Sequence, residues 1–239
     1  MSKLDGQIVV VIGGSAGMGL ETARLARAEG AEVVVTGRNE DRLKQAAAEV
    51  DAFRTAAFDA TDPGQLQEFF RRFEGPIDHI LVTAGGPYYG LLEDLDLEEA
   101  SKHIGMELTL PLYVGRAAKG KVRGSLTFVG GTGARRPGPG LIVTSAMTNA
   151  HPALIAGLAI EMAPIRVNLI AAGFVDTPLS ARLLGDDLEK RRQQLRDTLP
   201  IGRVVGPQDV AALAVHLMTN TALTGATYDI DGGQQFVPR

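Results

Sequence analysis

Cysteine does not occur among the 239 residues. Its absence excludes disulfide staples, thiolate nucleophiles and thiolate metal sites, and it suits a reducing compartment. A dominant charge of one sign is missing as well: the formal net charge is −4, with acidic and basic residues mixed along the chain. That mixture argues against a nucleic-acid surface or a polybasic membrane face. No run reaches the roughly 18 apolar residues that a membrane helix needs. The apolar stretch 8–12 follows Lys3 and imitates a short signal sequence, but Asp5 precedes it and Gly13-Gly14 cut it short. A buried parallel strand fits it better, and a cytoplasmic protein is expected. No Pro/Ser-rich linker, repeat or low-complexity tract divides the chain. One domain over 1–239 is expected, with no metal site and no nucleic-acid or membrane partner.

What is present is ordinary globular composition, 45% hydrophobic and 22% charged, enough to bury a sizeable core. Short apolar runs bounded by glycine or polar turns alternate with helical stretches. Strands are expected at 8–12, 32–36, 53–58, 77–83, 125–129, 166–171 and 227–230. Between them, helices are expected at 18–29, 41–50, 63–73, 97–118 (interrupted or bent near Pro111), 145–162 and 207–218. This alternation is the signature of an α/β fold, a doubly wound parallel sheet of Rossmann type with helices on both faces. The stretch 178–206 follows a strand's carboxyl end, where open α/β sheets bind ligands, and it carries Arg191-Arg192. It reads as a helical flap over the site or, on charge pattern alone, as a solvated surface helix.

Gly13-Gly14-Ser15-Ala16-Gly17-Met18-Gly19 lies between the first strand and the first helix. Glycine lets phosphate approach the backbone, and the helix that follows offers unpaired N–H groups and the positive end of its dipole. A structural turn is the plain alternative. Further along stand Phe58-Asp59-Ala60-Thr61-Asp62, Val82-Thr83-Ala84-Gly85, Ile165-Arg166-Val167-Asn168, Ala172-Gly173-Phe174-Val175-Asp176-Thr177 and Tyr228-Asp229-Ile230-Asp231-Gly232-Gly233. In this order and with this spacing of glycines, the chain resembles the short-chain dehydrogenases/reductases over nearly its whole length.

The resemblance implies a dinucleotide site. Gly13, Ser15, Gly17, Met18 and Gly19 would surround the pyrophosphate, and Asp59, with Ala60 beside it, would accept from the adenine amino group. Ala84 and Gly85 would let the ribose lie against the fourth strand. Gly173, Val175 and Thr177 would hold the nicotinamide amide. At the end of the second strand, a carboxylate would bind ribose hydroxyls and repel a phosphate. Here Arg38 and Asn39 follow Thr36-Gly37, and a guanidinium can fork onto a 2′-phosphate. NADP(H) is therefore the expected cofactor; the alternative is that Arg38 is a surface arginine.

The catalytic end departs from the family. Members usually carry a serine after the fifth strand and Tyr-x-x-x-Lys on the next helix, where the lysine charge brings a phenol of pKa about 10 toward the range for proton transfer. Here the serine position is Gly131, the tyrosine position Thr144 and the lysine position Thr148. None of Tyr88, Tyr89, Tyr113 and Tyr228 has lysine four residues later, and no lysine lies between Lys121 and Lys190. A shift of register cannot restore the motif. A threonine hydroxyl is too weak an acid to substitute, although Thr132 can take the serine's hydrogen-bonding role. Glu107, at the usual asparagine position, is the best titratable candidate, because burial can raise a carboxyl's pKa enough to make it an acid. Its alternative is a structural glutamate bonded to backbone. His151, before Pro152, is expected to cap or lie on the surface.

Three readings follow. The first is an atypical oxidoreductase moving hydride to or from a carbonyl, imine or conjugated small molecule. The second is a non-catalytic NADP(H) sensor, and the third a structural subunit of a mixed oligomer. By the resemblance a homotetramer is expected, or else a dimer, with the helix 145–162 either in the interface or buried within one chain.

Overall fold

In the computed structural model, which describes residues 2–237, valine and isoleucine runs form seven strands and the intervening amphipathic stretches form eight α-helices. The order is β1 (Ile8–Ile12), α1 (Gly17–Ala28), β2 (Glu32–Gly37), α2 (Glu40–Val50), β3 (Arg54–Ala57), α3 (Pro63–Arg72), β4 (Ile77–Val82) and α4 (Leu97–Ala118). There follow β5 (Val122–Gly131), α5 (Ile142–Glu161), β6 (Arg166–Ala172), α6 (Pro178–Leu184), α7 (Leu188–Thr198), α8 (Pro207–Thr219) and β7 (Thr227–Ile230). Local signals set the helix starts. Asp62 accepts from the Gly64 and Gln65 amides ahead of Pro63, and Asp96 does the same for Glu98 and Glu99 at the head of α4.

The strands pair in the order β3-β2-β1-β4-β5-β6-β7, every pairing parallel. Side chains alternate faces along each strand. Val10 and Ile12 therefore enter one core with Phe70 of α3, Val114 of α4 and Ile155 of α5, whereas Val9 and Val11 enter the other with Ala23 of α1 and Val210 and Ala214 of α8. The chain switches direction across the sheet between β1 and β4, so the turns after these neighbouring strands open a crevice at their carboxyl ends. The doubly wound sheet expected from the sequence is the one observed. No helix among the described residues is long and apolar enough to cross a membrane.

Two boundaries and one expected break differ from expectation in ways that matter. β5 extends to Gly131 because it continues pairing with β6 as far as Ala172. α5 begins at Ile142, not Ser145, so that Val143 and Thr144 join its buried side chains. Pro111 does not interrupt α4, which is continuous from Leu97 to Ala118; buried Leu110, Pro111 and Val114 hold it in place. Proline cannot donate to the carbonyl four residues back, so the Glu107 carbonyl loses its helical partner there.

Inside the sheet, His79 is buried on β4 with Nε2 2.8 Å from Gln7 Oε1 and Nδ1 2.8 Å from Ser125 Oγ. The Gln7 oxygen can only accept, so Nε2–H donates to it and Nδ1 accepts from the serine hydroxyl. Burial, with the nearby Arg166 charge, lowers this imidazole to about 4. An unfolded histidine titrates near 6.5. Above that pH the ring is neutral in both states. Between 6.5 and 4 the unfolded chain gains a proton that the fold refuses, which removes about 3 kcal/mol of stability. Urea midpoints at pH 7 and pH 4 should show His79→Gln losing less stability on acidification than the parent by about that amount. Equal losses would refute the assignment.

Candidate cofactor and active site

The turn after β1 leaves no room for side chains at two of its glycines. A Cβ on Gly13, whose φ is +94°, would stand 2.6 Å from Thr83 Oγ1, and one on Gly19 would stand 2.4 Å from the Gly13 carbonyl oxygen. α1 therefore starts tight against the turn. Its N-cap Ala16 supplies no side-chain acceptor, and no acidic residue occupies its first turn. The first N–H groups of α1 are thus left for an external anion. Gly17, at φ +55°, lies against Thr177, with its notional Cβ 3.4 Å from the threonine side chain. These features fit a dinucleotide pyrophosphate.

At the adenosine end, Ser15 packs on Gly37 and Arg38 is 77% exposed at the end of β2. Arg38 Nη1 stands 3.9 Å from Asp59 Oδ2, so the two residues expected there are brought together. Asp59 Oδ1 accepts from the Thr61 amide and hydroxyl, and Ala60 is buried behind it. Asn39 Oδ1 accepts from the Arg42 amide and caps α2, which leaves its Nδ2 donors facing away from that bond.

At the other end a cavity of about 630 Å³ runs from Met18 past Ala84, Gly85, Gly173, Val175 and Thr177 to the flap. The flap is helical, as α6 and α7, and Leu179, Leu183 and Leu195 close the cavity from that side. Thr177 begins it with a capping box, its Oγ1 accepting from the Ser180 amide while Ser180 Oγ accepts from the Thr177 amide. Gly173 admits no Cβ, which would meet Asp231 Cβ at 2.6 Å.

The polar floor of this cavity comes from α4, β5 and α5. Glu107 is partly buried; its Oε1 accepts from the Gly86 amide at 2.9 Å while His103 Nε2 donates to the Gly86 carbonyl at 2.9 Å. Gly85 makes room, since a Cβ there would lie 2.4 Å from Glu107 Oε1. Glu107 is thus bonded to backbone, but Oε2 has no partner among the described residues. Burial raises its carboxyl above the ordinary carboxylic range, against the Gly86 hydrogen bond and the His103 and His151 charges.

Thr144 and Thr148 are taken up by the backbone. Thr144 Oγ1 donates to the Tyr88 carbonyl at 2.8 Å and accepts from the Tyr88 amide at 3.1 Å; Thr148 Oγ1 donates to the Thr144 carbonyl and accepts from the Ala134 amide, both at 2.8 Å. Both hydroxyls staple loops to α5. Thr132 is freer: its hydroxyl is 3.5 Å from the Ala172 carbonyl and lines the cavity.

His151 is the correction. It is only 7% exposed, and neither ring nitrogen has a partner among the described residues. With α5 starting at Ile142, residues 144, 148, 151 and 155 fall on one buried face, and Gly130 lets the ring approach, a Cβ there lying 3.3 Å from Nδ1. Glu107 and His151 line both the large cavity and a second of about 20 Å³ beneath it, room for about one water. The pairing of position 107 with 151 has no spacing signal, because the two lie on different helices; only the spacing of His151 from Thr148 and Ile155 places it on the same face as those two.

The family described as enoyl-(acyl carrier protein) reductase matches residues 13–235. Short-chain dehydrogenase/reductase ATR9 of Stachybotrys chlorohalonatus is 28% identical over 253 residues, covering 98% of both chains. Among solved structures, the MalC reductase/Diels-Alderase from Malbranchea aurantiaca superposes with a TM-score of 0.89 at 26% identity, covering 97% of each chain. BdcA in complex with NADPH superposes with a TM-score of 0.85 at 26% identity, over 97% of this chain and 95% of the other.

Proposed function

The chain belongs to the short-chain dehydrogenase/reductase family, and from that premise we propose that it is an NADP(H)-dependent oxidoreductase in which Glu107 replaces the missing tyrosine as proton donor. The observation that carries this reading is a carboxyl raised by burial, one oxygen fixed on Gly86, in the same cavity as the residues of the nicotinamide end. When bound, NADPH supplies hydride to a carbonyl, imine or conjugated carbon.

The chain's own residues do the rest. The open amides of α1 and the glycine turn hold phosphate, and Arg38 takes the 2′-phosphate. Gly173, Val175 and Thr177 orient the carboxamide end, and Thr132 holds the substrate heteroatom. Glu107 would hold at its carboxyl the proton that a carbonyl or imine heteroatom takes as its π bond to carbon breaks. His151, at the same small cavity, is the second group able to carry a proton there. NADP(H) preference is supported by Arg38, and by BdcA having been solved with NADPH. Association into a homotetramer or dimer is supported by Leu112 and Tyr113 on α4 and Ile160 on α5, which are apolar and exposed, Ile160 to 79%.

Purified protein loaded with NADPH should lose the nicotinamide absorbance at 340 nm when supplied with panels of aldehydes, ketones, cyclic imines and enones. No oxidation with any class would overturn the enzymatic reading and leave a protein that only binds the nucleotide.

A further inference from the structure

Two adjacent pairs of arginines, Arg135-Arg136 after β5 and Arg191-Arg192 on α7, border the flap side of the cavity. In each pair one member is neutralised by a carboxylate. Arg135 Nε and Nη2 fork onto Asp229 at 3.0 and 3.1 Å, and Arg192 Nε and Nη2 fork onto Asp176 at 2.9 and 2.8 Å. The other member lines the cavity with only neutral company. Arg136 Nη1 donates to the Gln234 carbonyl at 2.8 Å. Arg191 Nη1 donates to Gln194 Oε1 at 2.7 Å, and its guanidinium lies 6.0 Å from the centre of the Phe174 ring. Among the described residues neither meets a carboxylate, and the one carboxylate lining the cavity, Glu107, is already bonded to Gly86. Burial pushes the Arg191 guanidinium below its usual range, and the like charge of Arg136 pushes it the same way.

Two like charges on the wall of a largely apolar cavity oppose each other, and each retains donors that no described residue satisfies. An anion placed between them removes both costs, and the planar guanidinium suits carboxylate or phosphate oxygens. We propose that Arg136 and Arg191 form an anion clamp for the substrate, so that the molecule reduced carries a carboxylate or phosphate group apart from its reducible carbon. The assignment rests on the proposed hydride-transfer function, because it places the clamp at the substrate's end of the cavity. The cofactor's own phosphates are served elsewhere, by the glycine turn, the α1 amides and Arg38.

Binding separates the two ideas. The NADP⁺-loaded protein is titrated calorimetrically with 4-oxopentanoate against its methyl ester, and with dihydroxyacetone phosphate against dihydroxyacetone. An anion should bind about 10- to 100-fold more tightly than its neutral partner, and the pair that discriminates identifies the carboxylate or the phosphate. R136Q/R191Q should abolish that preference, leaving affinity for NADP⁺ and for the neutral probes unchanged. Equal affinity within both pairs, or no binding by any probe, overturns the clamp without use of the variant. So does an unchanged preference in the variant, or a loss confined to NADP⁺, which would give the arginines to the cofactor. Anion preference in a protein that oxidises no NADPH would keep the clamp and reject the hydride-transfer reading.

Discussion

Glu107→Gln is expected to reduce kcat for carbonyl or imine reduction by about 10²- to 10⁴-fold while NADPH affinity stays unchanged. The substitution is nearly isosteric, and the amide oxygen can still accept from the Gly86 N–H that Glu107 Oε1 now holds at 2.9 Å. What disappears is the transferable proton. The pH profile supplies a second readout. A carboxyl raised by burial donates only while protonated, so the parent's reduction rate falls as pH rises through that raised value, and oxidation of the product alcohol or amine gains over the same range. In the glutamine variant that limb flattens. Single-turnover rates across pH decide the matter: an unaltered kcat with an unaltered limb would return Glu107 to a purely structural part and leave His151 as the group to examine.

Arg38→Ala is expected to weaken NADPH by about 10- to 100-fold and to leave NADH unchanged. Arg38 is 77% exposed, and its only charged neighbour among the described residues, Asp59, is 3.9 Å away. An exposed ion pair of that length contributes little to stability. The loss therefore reports the missing contact to the 2′-phosphate and not a disturbed fold. Calorimetric titration of both nucleotides against both proteins is the measurement; equal weakening of NADPH and NADH would remove the preference for NADP(H).

The cofactor end was legible in the sequence because its requirements are local. Gly13, Gly17 and Gly19 stand in one short turn, where positive φ or a Cβ clash admits nothing larger. Gly85 and Gly173 recur after later strands for the same steric reason, although the partners they make room for, Glu107 and Asp231, are distant in sequence. The active-site floor was less legible. Thr144 and Thr148 looked like vacant catalytic positions, yet hydrogen bonds to Tyr88 and Ala134 give them to the loops. His151 looked superficial beside Pro152; α5 is apolar on more than one face, so no polar stripe in its sequence marks which side turns inward. Nor does sequence say which arginine of Arg191-Arg192 meets Asp176 and which enters the cavity, since that depends on how the flap folds back over β6.

Burial is uneven across the sheet. Every residue of β4 and β6 is buried, whereas β3, at one edge, has three of its four residues exposed. The two ends of a bound dinucleotide therefore meet differently prepared ground. The nicotinamide end of the proposed site lies at the ends of strands whose conformational freedom folding has already removed. At the adenosine end Arg38 is solvent-exposed, and its side-chain rotamer freedom is what capture of a 2′-phosphate would remove. On the proposed reading, the entropic cost of binding would fall on the half of the cofactor that does no chemistry.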